Sequence, residues 1–310
     1  MTSTDTSRTI LLTGGTGFIG VPLCHALQQR GYHPVVLTRD TLRAARVLGT
    51  GVSLVSELSQ LPDRPVDAVV NLAGEPLASG RWNDRRKEEF RRSRIGTTEA
   101  LLAHFQQRGH FPERMVSGSA IGFYGDGGDR PLTEVDGSGT GFAAQLCRDW
   151  EAVAERFADS GTRVCRLRTG IVLGPGGGAL QSMLLPFKLG LGGRLGSGRQ
   201  WMSWVHRTDL VRLILHCLEQ DNLSGPVNGT APNPVTNRYF TRSLAKTLHR
   251  PAVFPAPAFM LRAMMADMAD ELLLVSQRVL PEAALESGFQ FQYPELVPAL
   301  EQILRNPGNE

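Results

Sequence analysis

Four glycines stand close together in 10-ILLTGGTGFIGVPLCHAL-27, where an apolar run gives way to a helical pattern. Gly15, Gly17 and Gly20 satisfy G-x-G-x-x-G, and Gly14, Gly17 and Gly20 satisfy G-x-x-G-x-x-G. Between a strand and a helix, this spacing has a chemical use. The glycines tighten the turn and let the backbone approach a pyrophosphate, while the helix N-terminus offers unpaired N–H groups and partial positive charge. Gly14, Thr16, Gly17, Phe18 and Ile19 are therefore assigned to a dinucleotide.

The end of the second apolar run decides which dinucleotide. NAD sites place a carboxylate there, about 20 residues beyond the loop, to hold the ribose 2′-hydroxyl. Here the run closes with 37-LTRD-40, so Thr38 stands at that position and Arg39 follows. A guanidinium at this point pairs with a 2′-phosphate. Thr38 and Arg39 thus select NADP(H), while Asp40, two residues late, keeps NAD as the alternative.

The elements that position these groups alternate. Strand-like runs cover Thr9–Thr13, Pro34–Thr38, Val52–Val55, Ala68–Leu72, Met115–Ser117 and Val164–Leu167, with amphipathic stretches at Ile19–Arg30, Asp84–Gln107 and Gly141–Ala158 between several of them. This rhythm predicts an α/β fold with a doubly wound parallel Rossmann sheet. After residue 174 the pattern turns to a helix at 179–189, a glycine-rich loop at 190–201, a helix from Thr208 to Leu218, a short strand at Val227–Thr230 and a mostly helical remainder. Residues 1–174 read as the nucleotide-binding domain. Residues 175–310 read as a smaller substrate-side region, with the two able to interleave.

A net charge of +3, from 33 basic and 30 acidic side chains, gives no ground for a nucleic-acid partner. The stretch 85-RRKEEFRRSR-94 mixes both signs and reads as a solvated helix face. The four cysteines form no C-x-x-C or metal-like cluster, and no apolar run reaches a membrane span. The expectation is a cytoplasmic protein with a small-molecule substrate and no metal, nucleic-acid or membrane partner.

Further motifs carry a resemblance. These are 71-NLAGE-75, 81-RW-82, 93-SRIGTT-98, 168-RTGIVLGPGGGAL-180, 203-SWVHRTDL-210 and 276-SQRVLPEAALESGFQFQYPEL-296. With the glycine loop, they resemble the atypical extended short-chain dehydrogenase/reductases of the NAD-dependent epimerase/dehydratase-like group, in the subfamily with a C-terminal helical extension. The resemblance covers nearly the whole chain. It implies that Leu72, Ala73 and Gly74 pass beside the adenine ribose, that Arg94 and Glu89 reach the cofactor from the central helix, and that Val172 meets the nicotinamide end. It also suggests a homodimer.

The family's proton relay is Ser or Thr followed by Tyr-x-x-x-Lys on the next helix, where the lysine lowers the tyrosine pKa. Ser119 fits the first position. In 141-GFAAQLCRDWEAV-153, Phe142 or Ala143 stands at the tyrosine slot and Leu146 or Cys147 at the lysine slot. The tyrosines are Tyr32, Tyr124, Tyr239 and Tyr293, the lysines Lys87, Lys188 and Lys246, and none forms Tyr-x-x-x-Lys. The catalytic assignment is therefore Ser119 with Tyr124 as donor, and Glu75, Cys147 and His206 as further candidates. Arg199, in 196-GSGRQ-200, points to an anionic or polyhydroxylated ligand. Two functions follow: an NADP(H)-dependent oxidoreductase or nucleotide-sugar-type epimerase with an unconventional donor, or a catalytically silent NADP(H)-binding sensor.

Overall fold

The computed structural model describes residues 8–78 and 80–305. The first strands are β1 (Thr9–Thr13), β2 (His33–Leu37), β3 (Ser53–Val55), β4 (Ala68–Asn71) and β5 (Arg114–Ala120). After a short β6 (Pro131–Leu132) come β7 (Arg163–Thr169), β8 (Ile171–Leu173), β9 (Trp201–Met202), β10 (Trp204–His206) and β11 (Gly225–Gly229). β12 (Val235–Thr236) and β13 (Arg278–Val279) complete the set. Seven strands form one parallel sheet in the order β11-β7-β5-β4-β1-β2-β3. Every residue of β1 and of β4 is buried, because helices cover both faces of the sheet. The chain winds outward from β1 to β3, then returns to β4 beside β1 and winds the other way. The crevice beyond the C-terminal ends of β1 and β4 is thus the topological switch point, where such sheets bind ligands.

The helices are α1 (Gly20–Gln29), α2 (Thr41–Leu48), α3 (Asp84–Arg91), α4 (Thr97–Arg108), α5 (Phe142–Glu155) and α6 (Gly178–Lys188). They continue with α7 (Arg207–Glu219), α8 (Asn237–Thr247), α9 (Ala258–Met265), α10 (Glu282–Glu286) and α11 (Leu296–Arg305). Leu23 and Leu27 of α1 and Leu210 and Ile214 of α7 pack on one face of the sheet. Leu101 and Phe105 of α4 and Ala154 of α5 pack on the other. The amphipathic stretch 84–107 is not one helix: a π-helical turn, Arg92–Gly96, separates α3 from α4. Such turns insert a residue into the helical ladder and recur at functional sites.

A third core joins Leu173, Leu180, Trp204, Phe240, Leu244 and Leu300 from the later segments. These segments do not stand apart, since β11 pairs with β7 in the central sheet. Asp209 ties the start of α7 to the chain just before α11. Its fully buried carboxylate accepts from Gln292 N at 2.8 Å, Tyr293 N at 2.7 Å and Arg212 Nη1 at 2.8 Å. The His206 ring lies 4.0 Å from the Tyr293 ring, and its Nε2 is 3.0 Å from Gln302 Oε1. The two motifs SWVHRTDL and GFQFQYPEL therefore clasp each other. Asp209→Ala leaves two amides without their acceptor and should cost about 3 kcal/mol. Denaturant unfolding tests this, and an unchanged midpoint would show that the clasp adds nothing.

Candidate functional site

A cleft of about 1050 Å³ opens at the switch point. Its floor is Thr13, Gly14, Thr16 and Gly17, with Leu72, Ala73 and Gly74 beside them. Backbone fit explains the glycines. Gly14 has φ +70°, and a Cβ on it would lie 2.7 Å from Leu72 O. A Cβ on Gly20 would lie 2.2 Å from Gly14 O. At Gly17 a Cβ meets only Gly14 O, at 3.1 Å, so that position is kept small for what occupies the cleft rather than for the turn. This open cradle at the start of α1 fits a pyrophosphate.

Buried hydrogen bonds hold the facing turn. Thr13 Oγ1 donates to Asn71 Oδ1 at 2.5 Å and accepts from Ala73 N at 3.0 Å. Asn71 Nδ2 donates to Thr98 Oγ1 at 2.8 Å, as does Trp150 Nε1 at 3.0 Å. The end of β1, the turn after β4 and the two helices behind it are thereby one rigid unit.

Thr38 and Arg39 line the far end of the cleft, as do Asp40 and Arg43. Asp40 is the N-cap of α2, and its carboxylate accepts from Arg43 N at 2.9 Å. Arg43 escaped the sequence reading, although it lies four residues after Arg39 at the start of a helix. Ser56, Glu57 and Leu58, just beyond β3, were also missed and close the same end.

The helical wall differs from the expectation of a solvated face. Glu89 lines the cleft, as do Arg92, Ser93 and Thr97 of the π-helical turn and its exit. Arg86 Nη1 donates to Glu89 Oε2 at 2.8 Å and to Glu75 Oε1 at 3.3 Å. The hydrogen bond from Arg86 holds the Glu89 carboxyl below its ordinary range. Arg94 points under the turn instead of into the cleft. Its Nη2 donates to Glu75 O at 3.0 Å, and a Cβ on Gly74 would lie 2.9 Å from its Cζ. Burial pulls its pKa down to about 10, so it remains a cation at neutral pH.

Phe18 and Ile19 follow the glycine loop but turn their side chains away from the cleft. The Phe18 ring fills the space over Gly177 and Gly178, with Arg207 Cζ 4.9 Å from its centroid. Together with Thr16 and Gly17 these groups border a smaller hollow of about 310 Å³. Ile19 packs against the core beside α1. Val172 sits in β8, paired with Val205 of β10, with its carbonyl near Gly178.

Ser119, one residue before the end of β5, is buried and is not among the residues that line the cleft. Its Oγ donates to Glu151 Oε1 at 2.6 Å. Glu151, on α5, forms a two-pronged ion pair with Arg168: Nε to Oε1 at 2.9 Å and Nη2 to Oε2 at 2.9 Å, both side chains buried. Arg168 Nη1 donates to Tyr124 Oη at 3.0 Å, and Tyr124 donates to Asn228 Oδ1 at 2.7 Å. Tyr124 therefore does not face the cleft. It is 3% exposed, and burial pushes its pKa up to about 12. Burial likewise pushes the Cys147 thiol up to about 11, which keeps it neutral. His206 belongs to the clasp and Arg199 to an exposed loop; of the remaining candidates, Glu75 lines the cleft. Glu151 and Arg168 went unremarked in the sequence because their meaning depends on the partner, 17 residues away.

A doubly wound parallel sheet with a glycine loop at its switch point defines a Rossmann-type protein that binds a nicotinamide dinucleotide. The profile of the NAD dependent epimerase/dehydratase family matches residues 10–228, and a domain of unknown function, DUF1731, matches 256–303. The chain belongs to the NAD dependent epimerase/dehydratase family. It is 40% identical to the epimerase family protein Mb2239 of Mycobacterium bovis over 300 residues, 96% of this chain and 98% of the relative. The crystal structure of the human epimerase family protein SDR39U1 (isoform 2) with NADPH superposes with a TM-score of 0.88 at 36% identity, covering 96% of this chain and 100% of that one. A nucleoside-diphosphate sugar epimerase from Corynebacterium glutamicum gives 0.77 at 32% identity, covering 97% of this chain and 59% of that one.

The glycine geometry separates two substitutions. Gly17→Val should leave a folded protein that no longer binds nucleotide, because its side chain enters the pyrophosphate's path. Gly20→Val should lower the melting temperature, because its side chain strikes the Gly14 backbone. Calorimetric titration and thermal unfolding of both variants check this; a folded Gly17→Val protein that binds NADPH normally would remove the loop from the site.

Proposed function

We propose that this chain binds NADP(H) in the switch-point cleft and performs hydride-transfer chemistry on a small hydroxyl or carbonyl compound, as an oxidoreductase or epimerase. The observation that carries the nucleotide choice is the end of β2. Arg39 and Arg43 both reach the cleft, and the nearby carboxylate of Asp40 is spent on capping α2. A 2′-phosphate finds two guanidinium groups there, whereas the last residue of the β2 run, where a carboxylate would hold a 2′-hydroxyl, is the uncharged Thr38. The related human structure with NADPH supports the same assignment. Gly14, Thr16, Gly17, Leu72, Ala73 and Gly74 would hold the pyrophosphate and ribose. Glu89 borders the cleft, Arg94 stiffens the turn, Phe18 and Ile19 lead from the glycine loop into α1, and Val172 stands toward the nicotinamide end.

Bound there, the nicotinamide supplies hydride acceptance and donation. The protein's part is the proton. In the oxidising direction, Ser119 Oγ accepts the proton of the substrate hydroxyl as its own proton passes to Glu151 Oε1. Arg168 fixes the Glu151 carboxylate and balances its charge. Ser119 is the catalytic residue and Glu151 acts through it. Tyr124, bonded on both sides, supports Arg168 and leaves the proton path to this pair. The same sequestration of Tyr124 favours a second reading, a nucleotide-binding sensor without turnover. NADPH that stays reduced across a panel of carbonyl compounds selects the sensor.

Arg39→Ala and Arg43→Ala should each weaken NADPH by about 1.5–3 kcal/mol, the scale of a charge-assisted hydrogen bond, and spare NADH. Calorimetry giving equal losses for both nucleotides would refute the 2′-phosphate assignment. For turnover, phenanthrenequinone serves as a carbonyl probe for NADPH oxidation. Ser119→Ala and Glu151→Gln should lower its rate by roughly 10²-fold, the lower end of general acid–base effects, with NADPH affinity retained. Tyr124→Phe should stay near the wild-type rate. Wild-type rates in Ser119→Ala would place the chemistry elsewhere.

A further inference from the structure

Away from the cleft, charge is unevenly distributed. Segments 176–206 and 236–266 hold eight Arg and Lys and no Asp or Glu, in a chain whose total is +3. The rest of the chain is therefore net negative. The two segments pack on each other: Phe254 N donates to Gly192 O at 3.3 Å, Ala256 N to Arg194 O at 2.9 Å, and Arg250 Nε to Lys188 O at 3.1 Å. All eight cationic side chains are exposed. Among the described residues, only Arg262 of the eight has an ion-pair partner, Asp270. Arg238, Arg242 and Lys246 recur every fourth residue along α8, and Arg250 follows beyond its end, so the charges form a row.

Apolar side chains stand out beside this row. Leu185, Leu189, Val253, Phe254, Phe259 and Met264 are each 58–72% exposed. Nine of the thirteen large apolar side chains exposed among the described residues fall in these two segments, so the exposure is concentrated and not the usual scatter. On α9, Leu261 turns inward while Phe259, Met260 and Met264 face outward.

We propose that this face docks on an anionic lipid bilayer. Phe254, Phe259 and their neighbours enter the boundary between headgroups and acyl chains, and the α8 row lies over the lipid phosphates. Protruding aromatic and aliphatic groups beside seven exposed cations that have no ion-pair partner among the described residues match that surface in both chemistry and sign. A second copy of the chain fits less well, because a two-fold contact through the patch sets two cationic faces against each other. A nucleic acid would use the cations and leave the apolar groups without a partner. Among the described residues no helix is long and apolar enough to cross a membrane, so the contact is one of surface. It departs from the sequence expectation of no membrane partner, which rested on the lack of a span.

The test is sedimentation of the full chain with vesicles. Binding is expected to vesicles of phosphatidylglycerol and phosphatidylcholine in equal amounts, to fall as salt rises, and to be weak on phosphatidylcholine alone. The pair Arg242→Glu and Lys246→Glu should weaken partitioning about tenfold or more, from the attraction contributed by each cation near the surface. The pair Phe254→Ser and Phe259→Ser should weaken it by about tenfold or more through lost burial. NADPH affinity should be retained in both, which reports an intact fold. Failure to sediment with the anionic vesicles overturns the proposal. So does equal binding to phosphatidylcholine alone, self-association abolished by the phenylalanine pair without vesicle binding, or capture of a DNA duplex in place of vesicles.

Discussion

The site depends on two strand ends meeting through backbone alone. Gly14, at the end of β1, comes so close to the Leu72 carbonyl after β4 that no side chain fits between them. Gly20 closes on Gly14 in the same way from α1. These approaches bring the helix N-terminus, the turn after β4 and the floor of the cleft into one place. The Thr13–Asn71–Thr98–Trp150 hydrogen bonds then fix the turn to the helices behind it. Arg94 fills the space under Gly74, so the π-helical turn and the strand ends shift together or not at all. A cleft built this way is organised before any ligand arrives.

The C-terminal extension is part of the same construction. Gln277 Nε2 donates to Ile121 O and Gly125 O, both at 3.0 Å, and so pins the loop after β5. Glu271 accepts from Phe142 N at 2.8 Å and Ala143 N at 2.7 Å, capping α5 where relatives with the usual relay carry tyrosine. Asn228 joins β11 to Leu280 O and to Tyr124. The segment that distinguishes the subfamily is thus tied to the helix that carries Glu151, and it packs on the space that a Tyr-x-x-x-Lys pair would need.

What the sequence made legible was local. The glycine loop, the strand runs and the Thr38–Arg39 end of β2 are written in adjacent residues, and spacing alone reads them. The strands were found because continuous apolar runs mark a sheet covered on both faces. Side-chain direction was not legible. Arg94 and Ser93 are neighbours, yet Arg94 lies under the turn and Ser93 lines the cleft, because successive helical residues point about 100° apart. Phe18 lies in the loop motif but packs on glycines some 160 residues later. Tyr124 looked available beside Ser119, and its withdrawal is decided by Asn228 and Arg168, which come from distant strands. His206 had the chemistry of a catalyst, and the ring of Tyr293 gives it a structural post.

Under the proposed reading, the buried pair also bears on direction. Removing two charges from water is costly, and the Glu151–Arg168 pair recovers part of that cost through two parallel hydrogen bonds. Ser119 already donates to the Glu151 carboxylate, so its lone pairs are what it has left to offer a reacting group. Donation from Ser119 to a reacting oxygen needs its hydrogen bond to Glu151 broken, or a proton on Glu151 to replace the one given. Withdrawal of a proton from a substrate hydroxyl runs the same path in reverse and ends with a proton on Glu151. The relay therefore serves both directions, and each passes through Glu151 Oε1, the oxygen that also accepts from Arg168 Nε.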